Sequence, residues 1–461
     1  MGSIMEFQLQ QQTPMIHYQA YYPENTNKEF RGKKAKEPVR EPGNQGLALR
    51  GSEVKPKLDR FLQEWYKRKH GEDIPEKWKT EYDPQKKGSQ NIHEALNYRL
   101  QIIAPKEIPL VAEPPQDVYF GNMGNSGGKK YTIFYQEELA LQIRCFIPDL
   151  CRALEECIPL FFLMHNFGTR QDKGLGGFIT TEYFDGNLNE RKSMTVEAAE
   201  ELLAKWLEGH NCIVMDYSSY DSEKRTFGQK YAIGEIGMIY RLLKSGINSG
   251  INRDHKDYVK SALTEYFLGE RITGEKREMK RSGVAPVVWD DKSYEKNEES
   301  LKNGRYIRGL FGYGGGQRWF SADKNHAKVA DPKDPKKYIK ENITIAPLDK
   351  GIERIPSPLL FKVVEKYIFI IPCEINKNIY GKEFRFSSKF KHPYNISKQD
   401  DKRPLDLCIP SEKEFDLDKF MKYFSDWLIK NRGAIKYNPC ILKNSKKVAI
   451  RMIKGKGGKQ A

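Results

Sequence analysis

Apolar and polar positions alternate most cleanly at Leu139, Leu141, Ile143 and Cys145, with Glu138, Gln142 and Arg144 between them. A period of two predicts a strand with one buried face. Phe7-Gln8-Leu9-Gln10, continuing towards Met15 and Ile16, predicts an earlier strand, and Leu100 and Ile102 alternating with Arg99 and Gln101 predict another. Between the first two strands, Leu58, Phe61, Leu62 and Trp65 recur at helical spacing, with Ser52 as the expected N-cap and Pro56 tolerated in the first turn. After Pro148, the residues Leu150, Leu154, Cys157, Ile158 and Phe161 predict a second helix, which Pro159 is expected to kink or interrupt. Phe178 to Phe184 then reads as a strand, so the first module follows the order β-α-β-β-α-β, which is ferredoxin-like.

Polar, Gly- and Pro-bearing segments interrupt this order at Pro23–Gly46 and across 105–137, where Pro114-Pro115 and Gly121–Gly128 mark an inserted loop. The second half carries expected helices at 195–207 and 233–244, strands near 342–346 and 366–375, and a glycine-rich segment from Gly309 to Gly316. A last helix spans about Leu417 to Leu428, with Leu417, Phe420, Met421, Phe424, Trp427 and Leu428 as a core stripe. Lys443 to Ala461 differs in texture, with seven basic residues and three glycines around a short strand at Val448-Ala449-Ile450. The expected organisation is α+β: a module over 1–190, a divergent second module over 191–442, and a basic C-terminal strand and tail over 443–461, with an old duplication suggested if the second module has its own glycine loop.

Length and composition agree, since 461 residues exceed what one core usually serves, and 38% hydrophobic with 30% charged residues describes a folded, well-charged chain. Lys and Arg exceed Asp and Glu by 78 to 62, a net +16 that favours a polyanionic partner such as nucleic acid. The longest apolar run, Ile158 to Met164, is far short of the roughly 20 residues that span a bilayer, and no signal peptide is read at the start, so no membrane is implied. Seven cysteines without a paired CxxC spacing are expected to be reduced thiols in cytoplasm. No cofactor is implied, and no pair of carboxylates or histidines has metal-site spacing.

The sharpest candidate chemistry is the loop Gly168-Thr169-Arg170-Gln171-Asp172-Lys173-Gly174-Leu175-Gly176-Gly177. Glycines allow close approach of a ligand while backbone N–H groups converge on phosphate oxygens. Arg170 offers a bidentate fork and Lys173 a mobile charge, a pairing suited to a ribose-phosphate chain. The competing reading is a tight helix-to-strand turn that glycines merely permit, with Asp172 ordering its own loop. A nucleotide-hydrolysing loop is excluded, because the GxxxxGK[ST] order is absent and the loop runs from helix to strand.

Asn166-Phe167-Gly168-Thr169-Arg170 with Lys173-Gly174-Leu175-Gly176-Gly177-Phe178 resembles the G-x-R-x-x-x-G-x-G-x-F signature of the RAMP (repeat-associated mysterious protein) superfamily of CRISPR systems. Leu49-Arg50-Gly51-Ser52-Glu53-Val54-Lys55-Pro56 is similar to the R-x-S-x-x-[KR] helix opening through which RNA-binding members contact guide RNA. Physically, a helix start offers N–H groups and a positive dipole end, and Arg50, Ser52 and Lys55 are expected around an anion there, with plain capping as the rival. Arg354-Ile355-Pro356-Ser357-Pro358-Leu359-Leu360-Phe361-Lys362 also resembles superfamily segments in which a serine-proline pair precedes a strand, making Lys362 a secondary RNA candidate beside an equally weighted edge-strand reading. Two modules look like the double-RAMP subunits of type III effector complexes, although 105–137 and 250–340 match no motif.

The resemblance implies RNA, guide or target, and sister CRISPR effector subunits as partners. Three functions follow: an RNA-holding subunit, a metal-independent endoribonuclease, or a scaffold with no RNA role. The nuclease reading needs a base, and His17 just after the first strand is the candidate, helped by Tyr18 and Lys55. A packed or hydrogen-bonded histidine is the commoner fate, and His93, His165 and His210 offer nothing better. Tyr18, Tyr21, Tyr22, Tyr313 and Trp319 are potential base-stacking rings whose placement can equally be chance.

Overall fold

The structure, a computed structural model, describes residues 3–15, 49–80, 95–103, 110–112, 133–135, 138–186, 189–218, 232–248, 258–282, 284, 304–314, 318–321, 330–331, 334–338, 341–389, 404–431 and 448–456. It is an α+β protein whose two main sheets are antiparallel throughout. The first sheet is built from β1 (Ser3–Gln11), β2 (Tyr98–Ile103), β5 (Glu138–Cys145) and β6 (Phe178–Thr180), in the order β2-β5-β1-β6. Helix α1 (Gly51–His70) follows β1 and helix α2 (Pro148–Met164) follows β5, while a small hairpin of β3 (Leu110–Ala112) and β4 (Ile133–Tyr135) is inserted before β5. The sequence order read for the first module is therefore present, with its strands arranged second-third-first-fourth.

Alternation explains which face is covered. Met5, Phe7 and Leu9 of β1 and Leu139, Leu141, Ile143 and Cys145 of β5 are buried beneath α1 and α2, while the residues between them point outward. Helix α2 runs unbroken through Pro159, contrary to the expected interruption. That ring is buried with Ile158 and Phe162, and its apolar burial offsets the lost backbone bond. The expected strand 178–184 is divided, because Thr181 separates β6 from a hairpin of β7 (Glu182–Asp185) and β8 (Glu190–Ser193).

Helix α3 (Val196–Trp206), capped by the Thr195 side chain accepting from the Ala198 N–H, leads into β9 (Asn211–Asp216) and then α4 (Ala232–Lys244). Later come β10 (Leu359–Val364), β11 (Tyr367–Pro372), α5 (Leu417–Asn431) and β12 (Ala449–Lys454). These strands form one sheet in the order β10-β11-β9-β12, again second-third-first-fourth. The strand expected in the basic segment 443–461 is an edge strand, paired with β9 from Ala449 to Lys454. Another four-stranded sheet joins Arg318–Ser321, Glu341–Pro347, Glu383–Lys389 and Leu405–Cys408.

The second main sheet separates two cores. Cys212, Val214, Leu360, Val364, Phe369 and Ile371 join the core beneath the first sheet's helices, whereas Ile213, Met215, Phe361, Val363, Ile368 and Ile370 join the core of the second half. A sheet covered on both faces needs apolar residues at consecutive positions, which is why β10 and β11 show no alternation. Gly309 to Phe311 lie in a 3-10 turn (Ile307–Phe311), with Gly309 packed on Ile409, and Tyr313-Gly314 pairs with Arg354-Ile355. This glycine segment does not connect α5 to β12, so it is not the counterpart of the loop between α2 and β6.

Candidate nucleic-acid interface

The glycine turn begins where α2 ends. Phe167 N–H donates to Gly176 O at 2.9 Å and Gly176 N–H to Pro14 O at 2.8 Å, so the loop folds against the chain leaving β1. Thr13 fastens it: Gly177 N–H donates to Thr13 Oγ1 at 2.7 Å, and that hydroxyl donates to Gly174 O at 2.6 Å. Gly174 N–H reaches Gln171 O, Lys173 N–H reaches Arg170 O, and Gly168 N–H donates to Glu53 Oε1 at 2.7 Å. The amides expected to face phosphate are therefore satisfied within the fold. Gly168, Gly174 and Gly176 adopt φ of 78°, 78° and 71°, and a methyl group on Gly176 would collide with Phe167 O. The turn geometry accounts for these glycines. Gly174 to Gly177 are buried, and residues 168 to 173 are half-exposed.

The helix opening lies beside this turn. Besides the Glu53–Gly168 bond, Lys57 donates to Asn166 O at 3.1 Å and Gln171 Oε1 at 2.8 Å, with its ammonium 4.8 Å from the Phe167 ring. Burial lowers the Lys57 pKa, with Glu53 opposing. The sequence reading missed this bridge, for which the only signal is that Glu53, Lys57 and Arg60 share a helix face. Helix α1 starts two residues earlier than expected, with Arg50 as N-cap and no side-chain cap, so Ser52 is an exposed first-turn residue rather than the cap. Arg50 is half-exposed.

Two expected contacts are overturned by burial and pairing. Lys55 donates to both carboxylate oxygens of Asp59, at 3.1 and 2.9 Å, and to Leu96 O at 3.0 Å, with the Tyr98 ring 3.8 Å away. Its charge neutralises a buried acid rather than surrounding an anion at the helix start. Lys362 is fully buried and donates to His165 O at 2.9 Å, Asn166 Oδ1 at 3.1 Å and Phe178 O at 2.8 Å. Its position in β10 has the parity of Leu360 and Val364, which aims it at the first core. Burial holds its pKa well below the usual lysine value, and it cannot reach RNA from there.

The outer part of the turn leans on the second half. The Lys173 ammonium lies 4.6 Å from the Tyr240 ring, and burial lowers its pKa while Asp172 opposes that shift. Tyr240 donates its hydroxyl to Phe311 O at 3.0 Å. Lys244, one helical turn on, donates to Phe311 O at 2.9 Å and Gly312 O at 2.7 Å, and burial pushes its pKa down to about 7. Arg308 and Lys173 add to that shift, while Glu275 and Asp172 oppose it.

His17, His93, Tyr18, Tyr21 and Tyr22 lie outside the described residues. His165 is enclosed by Phe61 and Phe161, with Nδ1 3.0 Å from Phe161 O, and desolvation brings its pKa to about 4. His210 pairs with Asp418 at 2.5 Å on the surface. Tyr313 is buried and donates to Ile345 O, so it is not available to stack on a base. Trp319 lies in the strand Arg318–Ser321. Among the described residues, no group of three or more His, Cys, Asp or Glu is placed to hold a metal, and no helix is long and apolar enough to cross a membrane.

Residues 41–247 match the family model described as the Cmr1 N-terminal domain, and residues 258–447 match the Cmr1 C-terminal domain. The chain is similar to the crystal structure of apo-form Cmr1 from Pyrococcus furiosus, at 10% identity over 98% of this chain and 99% of that one, with a TM-score of 0.33. No curated protein matches the sequence.

Proposed function

The chain belongs to the Cmr1 family, which makes it a subunit of a type III CRISPR effector complex, and from that premise we propose that it is a structural subunit that grips the RNA sugar-phosphate backbone. Each main sheet with its two helices is read as one ferredoxin-like RAMP module. The observation that carries the RNA-binding reading is the contact of the α1 opening with the glycine turn, made through Glu53 and Gly168. That contact gathers Arg50, Ser52, Arg170 and Lys173 onto neighbouring elements, half-exposed or exposed. Because the amides of the turn's four glycines are engaged internally, the grip is assigned to these side chains, with Gly168, Gly174, Gly176 and Gly177 shaping the turn that presents them.

A scaffold of this kind needs no reacting group at the RNA. Affinity through phosphate contacts falls with salt, by a slope of about −0.7 per contacted phosphate for single strands. Arg170→Ala/Lys173→Ala is expected to weaken RNA binding and reduce that slope by about 1 to 1.5 without unfolding the protein. Unchanged affinity and slope would remove this site. Sequencing the RNA recovered with the assembled complex identifies the strand that is held.

A further inference from the structure

Three of the six large apolar side chains exposed among the described residues, Phe146 at 80%, Ile4 at 63% and Ile103 at 39%, lie on the outer face or rim of the first sheet. The helices cover the opposite face. Across the outer face, Ile4 of β1 stands opposite Arg144 of β5, and Arg144 stands opposite Arg99 of β2. The next row is Glu6, Gln142 and Gln101, and the one after it Gln8, Ala140 and Ile103.

Two arginines directly opposite each other on adjacent strands repel. Both are exposed, and neither has an ion pair or side-chain hydrogen bond among the described residues. Glu6 lies diagonally from Arg144, and its carboxylate accepts from the Gln8 amide at 3.0 Å. The Gln101 amide donates to Gln142 Oε1 at 2.7 Å, a bond that uses neither the Gln142 amide N–H nor the Gln101 oxygen. Guanidinium pairs suit phosphates, an exposed ring suits a base, and side-chain amide donors and acceptors suit a base edge. An acidic protein segment would answer the arginines but not the ring and the amide pair together.

The face also adjoins the proposed grip. Gly51 at the α1 opening packs against β2, where a methyl group would lie 3.3 Å from Leu100 O, so the segment carrying Arg50 and Ser52 meets the strand that carries Arg99. We infer that the outer face of the first sheet is a second nucleic-acid surface, on which a single-stranded RNA segment continues from the α1 opening, with Arg99 and Arg144 on its phosphates and Phe146 under a base. This rests on the RNA-holding reading above.

The test uses the full chain and a fluorescein-labelled oligouridylate, with affinity measured across a salt series. Arg99→Gln/Arg144→Gln is expected to reduce the salt slope by about 1.4, the value for two phosphates of a single strand. Phe146→Ala is expected to weaken binding roughly five- to 150-fold, with an unchanged slope. Ultraviolet cross-linking should map to the peptide carrying Phe146. If these variants bind like the parent while Arg170→Ala/Lys173→Ala loses affinity, this inference fails and the grip stands. If the parent itself does not bind, both fall. If the variants bind RNA normally but no longer assemble with the other complex subunits, the face is a protein-docking surface and the inference is overturned.

Discussion

The Lys362 ammonium, on a strand of the second sheet, donates to the side-chain oxygen of Asn166 at 3.1 Å inside the base of the glycine turn. Asn166 in turn donates to Phe361 O at 2.9 Å and Gln171 O at 2.7 Å. One buried amide therefore ties the turn to itself and to β10. A lysine in a strand of apolar residues persists here because three oxygens meet its three donors.

Replacing Lys362 by Met keeps the stem's volume but leaves three buried oxygens without donors. We expect a loss of about 3 kcal/mol in denaturant unfolding. Lys362→Met/Asn166→Leu should lose less than the sum of the two single changes, since the groups are coupled. Additive losses would show that the pair acts independently.

Gly176 and Gly71 both have positive φ, at 71° and 74°, but only Gly176 is crowded by backbone, while nothing lies within 4 Å of a methyl on Gly71. Gly71→Ala is expected to cost about 1 kcal/mol for the left-handed conformation alone. Gly176→Ala must also displace Phe167, and should cost about 4 kcal/mol or prevent folding. Equal melting temperatures for the two variants would refute the tight-turn account.

Lys55→Met separates stability from RNA affinity. Asp59 is 8% exposed and loses its cation, so unfolding free energy should drop by about 2 kcal/mol. The salt slope of RNA binding should stay at the parent value, because Lys55 faces Asp59 and Leu96. A flatter slope would return Lys55 to the RNA contacts.

Glu235 on α4 is buried, accepts from the Tyr217 hydroxyl at 3.1 Å, and has its pKa raised by burial to about 8. A carboxyl whose folded value lies above its ordinary 4.5 takes up a proton on folding. Its contribution is complete below about pH 4.5 and is lost as the pH climbs through about 8. Glu235→Gln mimics the protonated form, so its thermal stability should exceed the parent's near pH 8 and above, by up to the order of 5 kcal/mol, with no advantage below pH 5. Parallel stability curves across that range would contradict the shift.

Legibility followed from how many faces of an element are buried. Strands β1 and β5 have one wet face, so their alternation could be read directly, and α1, α2 and α5 showed the stripe that a half-buried helix requires. Strands β10 and β11 lie between two cores, and their continuous apolar runs carry no periodicity that reveals which core each residue enters. Lys362 was misread for that reason, since a lone lysine on a strand usually marks a solvent face. Lys55 was different, because Asp59 four residues later on the same helix already signalled an ion pair.

From residues alone came the α+β class, the strand and helix order of the first module, the turn-forming glycines and the superfamily resemblance. These depend on local spacing and backbone chemistry, which neighbours in sequence determine. Only the folded chain decided that Glu53 would occupy the Gly168 amide, that Thr13 would close the turn, and that Lys362 would point inward. Each of these joins residues more than a hundred positions apart, and which polar group meets which is settled by how the two sheets and their helices share their cores.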